Sequence, residues 1–126
     1  MEQLLHYVWK HKIFPLSSLQ TTSGRPVEVI DPGLPNMNAG PDFFNAKLKI
    51  DGTLWVGNVE VHTQASDWLL HRHDRDKAYD TVILHVVGES NCDVYRTNGE
   101  LVPQMVLTCP DTVRLRYEEL RQTEIY

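Results

Sequence analysis

Residues 81–87, Thr-Val-Ile-Leu-His-Val-Val, are almost continuously apolar. An extended segment of that kind has no side to offer to water. It predicts a strand buried on both faces, in the middle of a mixed sheet. Such a strand needs neighbours at both edges and cover on both faces, and the rest of the chain has to supply them. The clearest neighbours come from residues 43–62. Phe44, Ala46, Leu48 and Ile50 alternate with Asn45, Lys47 and Lys49, and Asp51-Gly52 is a hairpin turn signal. On the return strand, Thr53 to His62, period-2 geometry sets Trp55, Gly57, Val59 and Val61 on one side. Leu54, Val56, Asn58, Glu60 and His62 take the other.

The remaining elements follow from periodicity and punctuation. Leu4, Leu5, Val8, Trp9 and Ile13 form one stripe of a helix expected over 2–14, with Pro15 just past its end and His6 and His11 off the stripe, in solvent. Val27–Ile30 reads as a short strand stopped by Asp31-Pro32-Gly33. The stretch 32–41 holds three Pro, two Gly and two Asn, so it reads as a rigid loop whose freedom is reduced before anything binds. Ser66-Asp67 opens a helix expected over 68–78. Asp93–Thr97 and Leu101–Leu107 read as a second hairpin across Asn98-Gly99, with Pro103 marking an edge strand. Pro110-Asp111 opens a last amphipathic helix carrying Val113, Tyr117 and Leu120, and this pattern still runs at Tyr126.

The expected class is therefore α/β: a mixed β-sheet flanked by helices, ordered α-β-β-β-α-β and followed by a β-hairpin and a helix. Residues 1–126 are expected to form one domain, the N-terminal fragment of a longer chain. Nothing approaches the roughly 20 apolar residues of a membrane span, and the N-terminus lacks a basic, apolar leader. Two cysteines, Cys92 and Cys109, imply no disulfide framework, so a cytoplasmic setting is expected. The formal net charge of −5 argues against a broad electrostatic grip on nucleic acid. It leaves room for a small metal-dependent phosphodiester site, because carboxylates that hold a metal lower the net charge themselves.

The residues that could carry chemistry lie at one end of the first hairpin. Asp42 enters the outgoing strand, and Glu60 and His62 leave the return strand on a common face. Two hard oxygen ligands beside a base form a minimal kit for binding Mg²⁺ and activating a water. Asp42 joins that face only if register allows. With a two-residue turn and an unbroken ladder it falls opposite Val61, facing away from Glu60. A three-residue loop, or one bulge, puts it opposite His62 and aligns all three, so the functional reading predicts an extra residue in the return strand, with Gly57 as a bulge site. The alternative role for Asp42 is to cap the proline-rich loop.

Pro41-Asp42, a hairpin, then Glu60-Val61-His62 resembles the PD-(D/E)XK nuclease superfamily, whose core runs α-β-β-β-α-β. The likeness covers roughly residues 1–87. It implies a restriction-endonuclease-like fold, a Mg²⁺-dependent nuclease acting on DNA, and Asp42 and Glu60 as metal ligands. His62 stands where that superfamily has lysine, and a neutral imidazole acts as a base without supplying permanent charge. Very short patch repair endonucleases, within the same superfamily, carry a Trp and a His-x-His pair after the third motif, broadly like Trp68, His71 and His73. Glu2 on the first helix is a candidate for the superfamily's helical acid. Over the whole chain, Asn38-Ala39-Gly40-Pro41-Asp42-Phe43 with Gly57-Asn58-Val59-Glu60-Val61-His62 looks like an uncharacterised bacterial family, a domain of unknown function.

His71-Arg72-His73 is a second cluster, able to bind Zn²⁺ or Mn²⁺ with Glu60, His62 or His85 completing the set. It could equally line the same cleft and contact phosphate, with Arg72, Arg75 and Lys77 adding positive charge. Three functions remain open on these residues. The first is a Mg²⁺-dependent phosphodiesterase with Asp42, Glu60, His62, His71 and His73 as its catalytic set. The second is a metal-binding hydrolase built on His62, His71 and His73. The third is a degenerate, non-catalytic module that keeps the nuclease fold and binds a partner. His85, inside the buried strand, is expected to be a satisfied core histidine.

Overall fold

A computed structural model of the protein describes residues 2–14 and 18–124. Pro15, expected to end the first helix, and Tyr126, where the last helical pattern stops, lie outside the described residues. The first helix, α1 (Glu2–Lys10), is one turn shorter than its stripe suggests, because Lys12 takes a left-handed φ of 54°. Strands β1 (Val27–Asp31), β2 (Leu34–Pro35), β3 (Phe43–Ile50) and β4 (Thr53–Gln64) follow. After a short helix, α2 (Asp67–Leu70), come β5 (Val82–Glu89), β6 (Gln104–Val106) and a last helix, α3 (Asp111–Glu124).

The strands form one mixed sheet in the order β1-β3-β4-β5-β6, with β2 also paired to β3. β1, β3 and β4 are antiparallel, while β5 runs parallel to β4 and β6 parallel to β5. The buried strand foreseen at 81–87 is therefore β5, with a hydrogen-bonded partner on each side. Its side chains serve two cores. Leu84 and Val86 join Val59 and Val61 of β4 beneath Leu5, Val8 and Trp9 of α1. Val82 and Val87 face the opposite way, into a smaller cluster with Ala65, Trp68, Val94 and Val102. No helix among the described residues is long and apolar enough to cross a membrane.

The first hairpin turns at Asp51-Gly52, with φ values of 53° and 80° and Ile50 paired to Thr53. A bulge is present, but in the outgoing strand rather than the return strand. Ala46 pairs with Gly57 and Phe43 with Val59, so two residues of β3, Phe44 and Asn45, face the single Asn58 of β4. Asn45 takes φ 58°, and its N–H donates to the Asn58 side-chain oxygen. Gly57 stays in register and instead makes room for β5, since a Cβ there would lie 2.5 Å from Ile83 Cγ2. The bulge inverts the alternation beyond it. Phe43 is buried and Phe44 is turned outward, the reverse of the assignment from alternation alone.

Two other expectations give way. The helix foreseen over 68–78 stops after α2, and two single 3₁₀ turns, His73–Arg75 and Lys77–Tyr79, follow. Arg72, at φ 59°, breaks the helix between His71 and His73. The second hairpin shrinks to one antiparallel bridge, Tyr95 to Leu101, closed by Arg96 N–H to Glu100 O and Val102 N–H to Val94 O. Pro103 has no N–H to continue that ladder. Its carbonyl instead accepts from His85 N–H at 2.8 Å, and residues 104–106 align parallel to β5.

Stability should report the bulge. Asn45→Val places a β-branched residue at φ 58° and is expected to cost about 1–2 kcal/mol, while Asn45→Gly should stay near wild type. Urea unfolding checks both, and equal stability of Asn45→Val and wild type would contradict the bulge.

Candidate metal centre

Asp42 is held from several sides before any side chain of the site is considered. Trp9 Nε1 donates to Pro32 O, tying the proline-rich segment to α1. Gly33, at φ 95°, lets β2 lie against β3, where a Cβ would meet Phe44 O at 2.8 Å. Asn36 N–H donates to Asp42 O, and its side-chain amide donates to Ala39 O and Pro41 O, closing the loop on itself. The Asx turns in this region belong to Asp31, whose Oδ1 accepts from Gly33 N–H, and to Asn36, whose Oδ1 accepts from Asn38 N–H, and not to Asp42. With the bulge in β3, Asp42 arrives beside Glu60. Asp42 N–H donates to Glu60 Oε1 at 3.0 Å, and Val61 N–H donates to Asp42 Oδ2 at 2.9 Å. The two acids therefore share one end of the hairpin.

Glu60 and His62 project from β4 on the face opposite α1, and His85 of β5 projects beside them. The break at Arg72 brings in the other two histidines. In a continuous helix, residues two apart point about 200° apart around the axis. The left-handed residue folds the chain back, so that His71 and His73 both turn toward His62. Ring centroids of His62, His71 and His73 are 5.2, 5.3 and 5.5 Å apart. Their ligand-capable nitrogens all lie within 4.8 Å of one another. A tetrahedral zinc ion has Zn–N bonds of about 2.0–2.1 Å, so these nitrogens would have to draw closer together to share one. Glu60 Oε2 borders the same space, 2.9 Å from His73 Nε2 and 3.3 Å from His62 Nε2.

His73 carries the most telling contacts. It is 6% exposed and stacks on Tyr79 at a centroid separation of 3.6 Å, with Trp68 edge-on at 5.3 Å. Neither of its ring nitrogens has a hydrogen-bond partner, and its close approach to Glu60 is not aligned as a hydrogen bond. A buried imidazole without partners costs free energy, and a cation at this point would remove that cost. His71 is exposed, so the cluster opens to solvent on its side.

The electrostatics favour neutral imidazoles. Burial, then the neighbouring histidines, lowers His62 to about 3 and His73 to about 4. His85 is lowered to about 4, again chiefly by burial. Burial and the adjacent Asp42 carboxylate raise Glu60 well above the usual carboxylate range. Burial alone would raise Asp42 as well, but His6 outweighs it and Asp42 stays below its ordinary value.

The site thus unites every residue singled out in the sequence, with a changed division of labour. Asp42 and Glu60 meet, but Asp42 Oδ2 is committed to Val61 N–H and lies 3.3 Å from His6 Nε2. The ligand-like cluster is His62, His71 and His73. His6, expected in solvent, packs on Phe43 and faces Asp42. Glu2, at the start of α1, interacts electrostatically with His6, Asp42, Asp67 and His71. The i,i+4 spacing of Glu2 and His6, which sets them on one helical face, was the available sign. Gln104, hydrogen-bonded to His85, gave no comparable sign. His85 is satisfied through both ring nitrogens, as expected for a core histidine. Both cysteines are free thiols.

Comparison with curated proteins and with solved structures gives no match. A family profile does match, over residues 2–126, in line with the whole-chain likeness to a domain of unknown function. By that match the chain belongs to the family described as Protein of unknown function (DUF2851).

Proposed function

We propose that this protein is a zinc-dependent hydrolase of phosphodiester bonds in DNA, with the ion held by His62, His71 and His73 and with Glu60 beside it. The observation that carries the reading is the buried His73 ring, which makes no aligned hydrogen bond and has a ligand-capable nitrogen within 4.8 Å of those of His62 and His71. A nitrogen-rich set suits zinc, whereas Mg²⁺ prefers oxygen ligands. For that reason the Mg²⁺ site expected on Asp42 and Glu60 is replaced here by a zinc site. The ion would supply Lewis acidity and lower the pKa of a bound water toward 7.

The chain's own residues would do the rest. Glu60, held protonated by burial and by Asp42 in the metal-free chain, would release that proton to bulk solvent when the cation binds beside it, and could then accept one from the bound water. Asp42 fixes Glu60 through its backbone N–H and tightens that acceptor by its charge. Substrate would approach on the exposed His71 side, where Arg72, Arg75 and Lys77 are solvent-facing cations able to meet phosphate. The order α1-β1-β2-β3-β4-α2-β5 departs from the nuclease core by the short β2, and what remains in keeping with that likeness is the pair of acids at the end of the β3–β4 hairpin.

Purified protein should bind one zinc ion and gain about 2.7 kcal/mol of stability at a free zinc concentration one hundred times Kd. His73→Ala should lose both effects, as read by metal analysis and calorimetric titration. Cleavage of labelled single- and double-stranded DNA should depend on added zinc and fall by at least about 100-fold in Glu60→Ala, the scale of a lost acid–base group. Zinc binding without cleavage of either substrate would overturn the hydrolase reading and leave a metal-binding module. Undiminished cleavage by Glu60→Ala would overturn the mechanism.

A further inference from the structure

We infer that His85 and Gln104 are positioning residues for His62, holding its imidazole with the proton on Nδ1 and the lone pair on Nε2, the atom that faces the metal centre. The inference deepens the zinc reading above and rests on it for its functional meaning. The tautomer itself follows from hydrogen bonding alone.

The chain of bonds starts at a group with one chemical option. Cys92 O is a backbone carbonyl and can only accept. Gln104 Nε2 lies 3.0 Å from it and 2.8 Å from Ser90 Oγ, so that end of the side chain is the amide nitrogen. Gln104 Oε1 is thereby turned to His85 Nδ1, at 2.9 Å. An amide oxygen only accepts, so His85 Nδ1 carries a proton. His85 is fully buried and bonded through both ring nitrogens to uncharged partners. It therefore stays neutral, and its Nε2 bears a lone pair. His62 Nδ1 lies 2.7 Å from that lone pair and must donate to it. A neutral imidazole has no second proton, so His62 Nε2 is left as a lone pair.

That is the form in which an imidazole binds a metal ion. Reversing the Gln104 amide would set Oε1 against Cys92 O, acceptor against acceptor. It would also invert every proton in the series and put N–H on His62 Nε2, where a cation would be repelled. The carbonyl of Cys92, three groups away, thus decides which nitrogen of His62 is free.

Long-range ¹H–¹⁵N correlation NMR on the metal-free wild-type chain reads the tautomers directly. Both His62 and His85 are expected as Nδ1–H, and a proton on His62 Nε2 would overturn the inference. In Gln104→Leu, His85 loses its acceptor, so His62 should change from one tautomer to a mixture and zinc affinity should fall about 10- to 100-fold. Circular dichroism checks that this variant is folded, and unchanged tautomer and affinity in folded Gln104→Leu would also overturn it. If the variant does not fold, the wild-type spectrum still decides. The expected tautomer without zinc binding would sink the metal centre and leave the tautomer assignment standing. Zinc binding with His62 protonated at Nε2 would do the reverse.

Discussion

Burying a carboxyl group and three imidazoles at the middle of a sheet is costly unless each polar atom finds a partner, with about 1–3 kcal/mol at stake for every unsatisfied group. Glu60, His62, His73 and His85 are all buried on the face of the sheet opposite α1. Much of the surrounding structure answers that constraint. Asp42 N–H meets Glu60, Gln104 meets His85, and His85 meets His62. Among the described residues, both ring nitrogens of His73 and Nε2 of His6 are left with no aligned hydrogen bond. Unsatisfied imidazole nitrogens beside a cluster of three histidines are a feature that a bound cation could relieve.

Register is what makes the network possible. A sheet has a side-chain period of two, so a single inserted residue decides which of two faces a carboxylate meets. The extra residue at Phe44-Asn45 moves Asp42 from the level of Val61 to that of Glu60, and also sends Phe43 inward to the α1 core. One local irregularity therefore completes the apolar core on one face and the acid pair on the other. Arg72 acts in a similar way on the other side of the cluster. By leaving helical geometry for one residue, it turns a His-x-His pair that would diverge into one that converges on His62.

The two faces of the central strands divide labour. Toward α1, Val59, Val61, Leu84 and Val86 pack in a continuous apolar layer with Leu5, Val8 and Trp9. On the other face the cluster is flanked by aromatic rings, Trp68 and Tyr79, which hold His73 by stacking rather than by hydrogen bonds. Stacking fixes the ring's position without engaging its nitrogens. α1 contributes to both faces of the problem: its apolar stripe covers the core, and His6 reaches Asp42 at the sheet's edge.

Local sequence was enough for whatever depends on neighbours in the chain. The buried character of β5, the Asp51-Gly52 turn and the placement of Glu60 and His62 on one face were legible, because periodicity and turn chemistry act over a few residues. The position of the bulge, the early end of α2, the parallel docking of β6 and the approach of His6 and Gln104 were not. Each is settled by contacts between segments far apart in sequence. Asn45 accepts a left-handed φ because Asn58 meets its N–H, and residues 104–106 lie parallel because β5 offers an unpaired edge. The sequence pointed to Asp42 and Glu60 as the metal pair, and only the tertiary structure brought ligand-capable nitrogens of His62, His71 and His73 within 4.8 Å of one another beside Glu60.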